Sequence, residues 1–323
     1  MKAIRVNQPG GRDNLLIENI DIPYPKSNEV LIKIIATGIN FIDVYQREGI
    51  YPAPMPHTVG SEASGIVEAI GADVKNVSIG DKVAYAMVLG SYAEYAIVPK
   101  DKIVLVPETI DLKIAAAIML QGLTVEYLTS DCFKIEKNMN VFIHAAAGGV
   151  GLLLTQVAKL MGAKVFGTTS TEDKAELAYK AGADHVIQYT KNNFLTETNK
   201  IIGESQMHVV YDSVGETTIN DSLKLLKARG SLIAFGQSGG PAPKIEPLDL
   251  KKQGSIFFTR PSLVDYIQNI SELENRANRL FSWISDKKVN VRIDRQLELE
   301  EAQEGHRLLE SRATAGKLIL INK

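Results

Sequence analysis

The sequence has little cysteine: Cys132 is the only one in 323 residues. A single thiol can form neither an internal disulfide nor a four-thiolate zinc site. This usage is typical of a reducing compartment, so we expect a cytoplasmic protein. The segment Met1–Gly10 has no apolar stretch of signal-peptide length, and no later run approaches the roughly 18 apolar residues that span a bilayer. We therefore expect no membrane partner.

The sequence also lacks an excess of charge of either sign. Its 36 basic and 38 acidic residues give a net charge of -2, and no basic stripe is interleaved with aromatic residues. These features argue against nucleic acid as the main partner. With 45% hydrophobic residues and a length about twice that of one common core, the chain is predicted to form two globular domains.

The region before Pro107 is patterned as short apolar or alternating runs separated by glycine and proline. Such runs predict strands joined by tight turns, and so a compact, mostly antiparallel β domain. The predicted strands are Val30–Ala36, Ser64–Ile70, Lys82–Ala86, Tyr92–Val98 and Ile103–Val106.

After Asp111, short apolar strands alternate with segments of helix length. This alternation predicts a parallel sheet with helices on its faces, and the number of strands suits a complete doubly wound dinucleotide fold. The predicted strands are Asn140–His144, Lys164–Thr168, His185–Gln188, Met207–Asp212, Ser231–Gly236 and Ser255–Thr259.

The C-terminal tail is predicted to return to the first domain, because its strands need a partner sheet. The bounds are then 1–122 with 264–323 for a catalytic domain, and 123–263 for a nucleotide-binding domain. The tail is predicted to hold the helix Val264–Lys287, the strand Val291–Leu297, a helix around Glu300–Ser311 and the strand Lys317–Ile321.

A glycine-rich turn lies between the first strand and the first helix of the second domain. Backbone amides at such a helix start can face a pyrophosphate. Gly148 lets the backbone approach the phosphates, and Gly151 lets the helix pack closely on the strand. Ala146 replaces the first glycine of the usual fingerprint. The predicted phosphate contacts are Ala147, Gly148, Gly149, Val150 and Gly151.

The end of the next strand bears on the choice between NAD and NADP. NAD sites place an acidic residue there, whereas this sequence has Thr169, followed by Ser170 and Lys174. Hydroxyl groups and a cation favour the 2'-phosphate of NADP. A plainer interpretation makes Ser170 a helix N-cap with Asp173 completing a capping box, and the two interpretations are compatible.

Several short motifs, spread over the whole chain, resemble the quinone oxidoreductases of the medium-chain dehydrogenase/reductase superfamily, including their zeta-crystallin relatives. The resemblance implies a GroES-like domain with a mostly antiparallel sheet and a Rossmann domain with six parallel strands. The motifs are Gly38–Tyr45, Gly60–Gly65, Gln121–Thr124, Ala145–Gly151, Ala234–Gly236, Thr259–Pro261 and Ser311–Thr314.

The resemblance also implies an enzyme without a metal. Zinc alcohol dehydrogenases of the same superfamily carry a cysteine in the segment that is Gly38–Asn40 here, and a histidine in the position of Ser61. Both ligands are absent, as is the four-cysteine structural lobe, and the five histidines are scattered. We assign His144 a structural role at a strand end.

The family's site residues carry over to this sequence position by position. Each also has a plainer explanation: the tyrosines could be packing aromatics, Asp43 a helix cap and Arg260 a surface ion-pair partner. By resemblance, Asn40, Asp43, Tyr45 and Tyr51 line the active cleft, Gln121 and Thr124 contact the nicotinamide side, Phe235, Gly236 and Arg260 touch the cofactor or the cleft, and Ser170, Lys174, Tyr189 and Arg312 surround the 2'-phosphate.

The resemblance implies NADPH-dependent reduction of a quinone, a small-molecule substrate. Tyr51 or Asn40 is the expected donor of a hydrogen bond to a quinone oxygen. The nearest alternative is reduction of an activated alkene such as a 2-alkenal or enone, in which a proton donor matters more. An alternative from another class is a crystallin-like or RNA-binding role. A homodimer is expected through pairing of the apolar strand Ser255–Phe258 with its symmetry mate.

Overall fold

A computed structural model describes residues 1–322. The chain forms two compact units, and the second is inserted into the first. Unit 1 comprises Met1–Leu123, Tyr266–Lys287 and the chain from Val291 onward, and unit 2 comprises Thr124–Asp265 and Lys288–Asn290. The assignment of a catalytic role to one and a nucleotide-binding role to the other remains a prediction.

The strands and helices are numbered in chain order. The strands are β1 Lys2–Val6, β2 Leu16–Asn19, β3 Glu29–Ile39, β4 His57–Thr58, β5 Glu62–Ile70, β6 Lys82–Ala86, β7 Tyr95–Pro99, β8 Ile103–Leu105, β9 Asn140–Ile143, β10 Lys164–Thr169, β11 His185–Gln188, β12 Met207–Asp212, β13 Leu226–Ala234, β14 Phe257–Thr259, β15 Ile293–Glu298 and β16 Lys317–Ile321. The helices are α1 Phe41–Arg47, α2 Leu112–Tyr127, α3 Gly149–Leu160, α4 Glu172–Lys180, α5 Phe194–Ile202, α6 Ile219–Leu225, α7 Pro247–Lys252, α8 Ile270–Ser285 and α9 Ala302–Glu310.

Unit 1 is built on a seven-stranded sheet in the order β15-β16-β3-β5-β6-β8, with β7 also paired to β3. Its strand pairs are antiparallel except for β15 with β16. The predicted return of the tail is confirmed, because Leu318 of β16 lies opposite Ile39 of β3. A three-stranded sheet, β2-β1-β4, completes the unit.

Unit 2 is a six-stranded sheet in the order β11-β10-β9-β12-β13-β14, and every neighbouring pair is parallel. This order, with α3 following β9, is that of a doubly wound nucleotide-binding fold. Phe142, Phe166 and Val210 lie in the core on one face of the sheet. The predicted α/β fold class is confirmed.

Several predicted elements differ in extent: the strand predicted over Ser231–Gly236, for example, covers Leu226–Ala234, and the strand predicted from Ser255 begins at Phe257. The tail helix begins at Ile270 rather than Val264, because the side chain of Asn269 accepts a hydrogen bond from the Glu272 amide and caps the helix there. A short 3-10 turn, Leu263–Tyr266, precedes it. The strand predicted from Tyr92 begins at Tyr95, and Tyr92 itself is a fully buried side chain whose hydroxyl contacts Asp43 and His306.

The expectation that no apolar run is long enough to cross a membrane is wrong for α2 and the π-helical turn after it. Together these span Leu112–Cys132, 21 residues whose most apolar window is apolar enough to cross a membrane. However, 72% of that window is buried inside the protein. Such burial is typical of a core helix, whose apolar surface is covered by other parts of the chain.

Close packing of β3 on β5 gives a test of the fold. A Cβ atom on Gly65 would lie 2.1 Å from the Lys33 carbonyl oxygen and 2.8 Å from Ile32 Cγ2. We expect Gly65→Ala to lower the free energy of unfolding by about 1–3 kcal/mol, because a methyl group there forces the strands apart. Urea unfolding followed by circular dichroism measures this change.

Gly11→Ala is the matched control, since nothing lies within 4 Å of a Cβ atom at that position. It should leave the free energy of unfolding within about 0.5 kcal/mol of the parent. Equal effects of the two substitutions would contradict the packing explanation.

Candidate active site

The glycine-rich turn of unit 2 joins β9 to α3. Helix α3 begins at Gly149 after Gly148, and no side chain caps it, so its first amide groups are left to other acceptors. A Cβ atom on Gly151 would lie 2.2 Å from the Ala145 carbonyl oxygen. Gly151 therefore allows the close approach of helix and turn that its position in the motif predicts.

Ala146, the departure from the usual fingerprint, fits because of a glycine in the neighbouring strand. Ala146 is fully buried and its amide donates to the Thr168 carbonyl at 2.9 Å. A Cβ atom on Gly167 would lie 2.6 Å from the methyl group of Ala146. The extra methyl is therefore accommodated in β10, and the turn keeps its hydrogen bonds.

The carboxyl end of β10 brings three predicted 2'-phosphate contacts to one place. Thr169 ends the strand, and its carbonyl accepts from the Tyr189 amide at 3.0 Å. Ser170 and Lys174 are half-buried nearby in the chain. The alternative that made Ser170 the helix N-cap is wrong: Thr171 is the cap, since its hydroxyl accepts from the Lys174 amide.

Other predicted cofactor contacts follow the carboxyl ends of neighbouring parallel strands. Phe235 and Gly236 come directly after β13, and the Phe235 amide donates to the Asp212 carbonyl at 2.8 Å. Arg260 is exposed and comes directly after β14. In parallel sheets this edge is where ligands bind. Thr124, which is buried, lies in the C-terminal part of α2, which belongs to the same unit.

The buried side chains of His144 and Asp212 form hydrogen bonds at the same edge of the sheet. Asp212 accepts from the amides of Val214 and Gly215 and from the Ser222 hydroxyl. His144 Nε2 lies 2.9 Å from Ser222 Oγ, and its Nδ1 lies 3.2 Å from Thr168 Oγ1. Burial lowers the pKa of His144, which favours the neutral ring. These contacts support the structural role predicted for His144.

The remaining predicted residues lie in unit 1. Gln121 is half-buried in α2, and Arg312 is exposed in the turn between α9 and β16 with a backbone φ of 55°. Tyr45 and Tyr51 form a ring contact with centroids 5.1 Å apart. The backbone supports this pairing, because the Tyr51 amide donates to the Tyr45 carbonyl at 3.1 Å.

Asn40 and Asp43 are buried, and their place in an active cleft stays a prediction. They hydrogen bond to each other at the start of α1, where the Asn40 amide donates to Asp43 Oδ2 at 2.8 Å. The carboxamide of Asn40 donates to Glu62 Oε2 at 2.9 Å and to the Gly38 carbonyl at 3.2 Å. Both of its N–H groups are thus committed, so Asn40 is a poor donor to a substrate.

Asp43 lies at the end of a directional chain of buried hydrogen bonds. The Tyr92 hydroxyl donates to Asp43 Oδ2 at 3.0 Å and has one proton, so His306 Nε2, 3.2 Å away, is the donor to the Tyr92 oxygen. His306 Nδ1 then accepts from Arg47 Nη1 at 3.1 Å. Burial lowers the pKa of His306 to about 3, which agrees with this neutral tautomer.

Two family models match this chain. The model "Alcohol dehydrogenase GroES-like domain" matches residues 26–108, and "Zinc-binding dehydrogenase" matches residues 149–282. Quinone oxidoreductase 1 of Escherichia coli is 41% identical over 322 residues, which cover 98% of each chain. The chain belongs to the quinone oxidoreductase family. The resemblance drawn from the motifs is confirmed.

Other members of the family extend the comparison. A crystal structure of Escherichia coli quinone oxidoreductase complexed with NADPH superposes with a TM-score of 0.97 at 40% identity and covers 100% of both chains. A 2-haloacrylate reductase from a Burkholderia species is 36% identical, over 99% of this chain and 98% of that protein.

Sequence reasoning assigned no role to several polar side chains around the start of α1. Glu62 stood within a motif, and Lys317 opened an apolar strand. Tyr92 and His306 were not singled out as site residues. A charged residue at the first position of a strand was the available signal for Glu62 and Lys317, but strand patterns alone do not tell which of them meet.

Asp43 generates a pH prediction. Burial is the main cause that raises its pKa to about 7, outweighing its hydrogen bonds from Asn40 and Tyr92 and the attraction of Lys317. Between about pH 4 and 7 the folded state therefore retains a proton that the unfolded state has released, so this group lowers stability as the pH rises. Relative to the parent, Asp43→Asn should gain stability with rising pH, by at most about 1.4 kcal/mol per unit, and level off above pH 7.

Urea unfolding of both proteins at a series of pH values measures this difference. Asp73→Asn, at an exposed carboxylate of the same unit, is the control and should track the parent at every pH. Parallel curves for Asp43→Asn and the parent would show that Asp43 does not hold the proton.

Proposed function

We propose that this protein reduces quinones with NADPH and without a metal. The arrangement at the carboxyl ends of β9 and β10 carries the proposal: a helix start without a side-chain cap, and a strand that ends in Thr169 instead of an acidic residue. The substrate class comes from the full-length relatives named quinone oxidoreductase.

The residues present fit NADPH. The amide groups at the start of α3, from Gly149 to Gly151, would donate hydrogen bonds to a pyrophosphate. At the end of β10, the hydroxyl of Ser170, the ammonium of Lys174 and the half-exposed Tyr189 offer donors to a 2'-phosphate. Arg312 and Arg260 are proposed as further contacts, with Phe235, Gly236, Gln121 and Thr124 beside the nicotinamide and ribose.

The proposed absence of a metal rests on side-chain chemistry. The segment Gly38–Asn40 and Ser61 stand where zinc enzymes of the superfamily have cysteine and histidine, and neither an amide nor a hydroxyl side chain is a good zinc ligand. Among residues 1–322, no three His, Cys, Asp or Glu side chains are grouped to hold an ion. A quinone needs no Lewis acid, because its reduction gives an aromatic product.

The protein's contribution is placement and hydrogen bonding. NADPH, when bound, supplies the hydride. The chain's residues orient the acceptor and offer a donor to the oxygen on which negative charge develops. Tyr51 is the better donor of the two predicted, because Asn40 has both N–H groups committed while the Tyr51 ring is partly exposed and held by Tyr45.

Reduction of an activated alkene is a second candidate. The 2-haloacrylate reductase that matches this chain at full length favours it. In that reaction the hydride goes to carbon, and a proton must reach the neighbouring carbon, so Tyr51 would serve as an acid. A crystallin-like or RNA-binding role is less well supported, since the net charge is -2.

Oxidation of NADPH and of NADH with a small benzoquinone, and separately with a 2-alkenal, tests the proposal. We expect rapid turnover of the quinone with NADPH, and a kcat/KM at least about tenfold lower with NADH, because a lost 2'-phosphate contact is worth more than 1.4 kcal/mol. A higher kcat/KM with the alkenal than with the quinone would contradict quinone reduction as the main function and support alkene reduction. Tight NADPH binding without turnover of either acceptor would contradict both enzymatic functions.

A homodimer in the cytoplasm is part of the proposal. The strand β14 lies at the edge of the unit 2 sheet, and Phe257 on it is 65% exposed, so a symmetry mate could pair there. We expect light scattering to give about twice the chain mass of 35.3 kDa. Phe257→Lys should shift the mass to that of one chain, whereas Ile201→Lys, at another exposed apolar residue of unit 2, should not. If light scattering gives the mass of a single chain for the parent protein, the proposed dimer is contradicted.

A further inference from the structure

We propose that Glu62 and Lys317 are positioning residues for the reduction. They hold Asn40, and the turn of α2 that carries Gln121, in fixed positions within unit 1. The inference rests on the proposed function. Neither residue is among the predicted contacts of cofactor or substrate, and both are too deeply buried to touch a ligand, at 0% and 1% exposure.

The two residues form an ion pair with Asn40 as a third member. Lys317 Nζ lies 2.6 Å from Glu62 Oε2 and 2.7 Å from Asn40 Oδ1. The Asn40 carboxamide closes the ring, since its Nδ2 donates to the same Glu62 oxygen at 2.9 Å. This ring joins three elements, β5, β16 and the start of α1, so none of the three side chains can turn without breaking two contacts.

The second oxygen of Glu62 reaches a fourth element. Glu62 Oε1 accepts a hydrogen bond of 2.6 Å from the backbone amide of Leu120, in the middle of α2. Gln121, proposed to contact the nicotinamide side, is the next residue. One carboxylate therefore links the helix that carries Gln121 to the helix that carries Tyr45.

The surrounding backbone leaves room for this carboxylate only because position 38 is a glycine. A Cβ atom on Gly38 would lie 2.0 Å from Glu62 Oε2 and 2.7 Å from the Ala116 carbonyl oxygen. The backbone of Gly38 has no positive φ, so a glycine is needed there because a side chain does not fit, and not because of the backbone conformation. The position of the Glu62 carboxylate therefore depends on the glycine at position 38.

Stability alone is a weak explanation for such a pair. Removing two charges from water costs about as much as their attraction returns, and a well-packed apolar pair of the same volume often stabilises a fold equally well. What an apolar pair cannot do is fix the Asn40 carboxamide and the Leu120 amide by directional hydrogen bonds. Control of position is therefore the property that the charged pair adds.

The double variant Glu62→Met/Lys317→Met, an apolar pair of similar volume, separates position from stability. Lys317→Met alone leaves a buried carboxylate without its cation, so both the melting temperature and kcat of this variant should be lower than those of the parent. The double variant removes both charges and should recover most of the melting temperature. We expect its kcat with benzoquinone to stay at least about tenfold below the parent, with an NADPH Kd within about twofold, because position and not binding is lost.

Lys2→Met is the control, since it breaks the exposed ion pair of Lys2 with Glu300 in the same unit. It should leave kcat and melting temperature unchanged. Recovery of kcat in the double variant along with its stability would overturn the positioning role while leaving the proposed function intact. An inactive parent, with quinone and alkenal alike, would instead overturn the proposed function and this inference with it.

A second variant keeps the test valid if the double variant does not fold. Gly38→Ala displaces the Glu62 carboxylate without changing any charge. We expect a kcat at least about tenfold below the parent with an NADPH Kd within about twofold. Unchanged kcat in a folded Gly38→Ala protein would overturn the inference, and Gly11→Ala, which meets no neighbouring atom within 4 Å, shows the effect of the methyl group alone.

Discussion

A carboxylate buried in a protein must be given donors, and this requirement organises the interior of unit 1. Glu62 is fully buried and receives hydrogen bonds from Lys317, from the Asn40 carboxamide and from the Leu120 amide. Each donor lies on a different element, so satisfying one side chain fixes the start of α1, the strand β16 and the middle of α2 together. Of the proposed site residues, Asn40, Asp43, Tyr45 and Gln121 lie at or on the elements that this carboxylate joins, and Tyr51 contacts Tyr45.

Asp43, a few residues away, shows the other way in which a buried carboxyl group is accommodated. Its Oδ2 receives two hydrogen bonds, but Oδ1 has no partner among the described residues. Burial raises its pKa to about 7, so the group can hold a proton where Glu62 has a cation beside it. The neutral His306 behind Tyr92 completes the contrast, since one of its nitrogens accepts from Arg47 while the other donates to Tyr92.

Much of the architecture was predictable because it follows from local patterns. The parallel sheet of unit 2, the glycine turn and the return of β16 to the first domain all come from strand spacing and turn residues. The burial of Asn40 and Asp43 was not predictable, because it depends on Tyr92, His306 and Lys317, which lie 49 to 277 residues away in the sequence. The helix cap was missed for a local reason: Ser170 and Thr171 are adjacent hydroxyl residues, and the sequence does not decide between them.

The commitment of Asn40 to Glu62 bears on how a reduced oxygen is stabilised. Diverting an Asn40 N–H group to a substrate would leave the buried Glu62 carboxylate with one donor fewer, and an unsatisfied buried charge costs more than a new hydrogen bond returns. A hydroxyl at a partly exposed position has no such cost, because water can replace its partner before the substrate arrives. Tyr51, held by its ring contact with Tyr45, meets that condition, which supports the proposal that the buried carboxylate positions and the tyrosine donates.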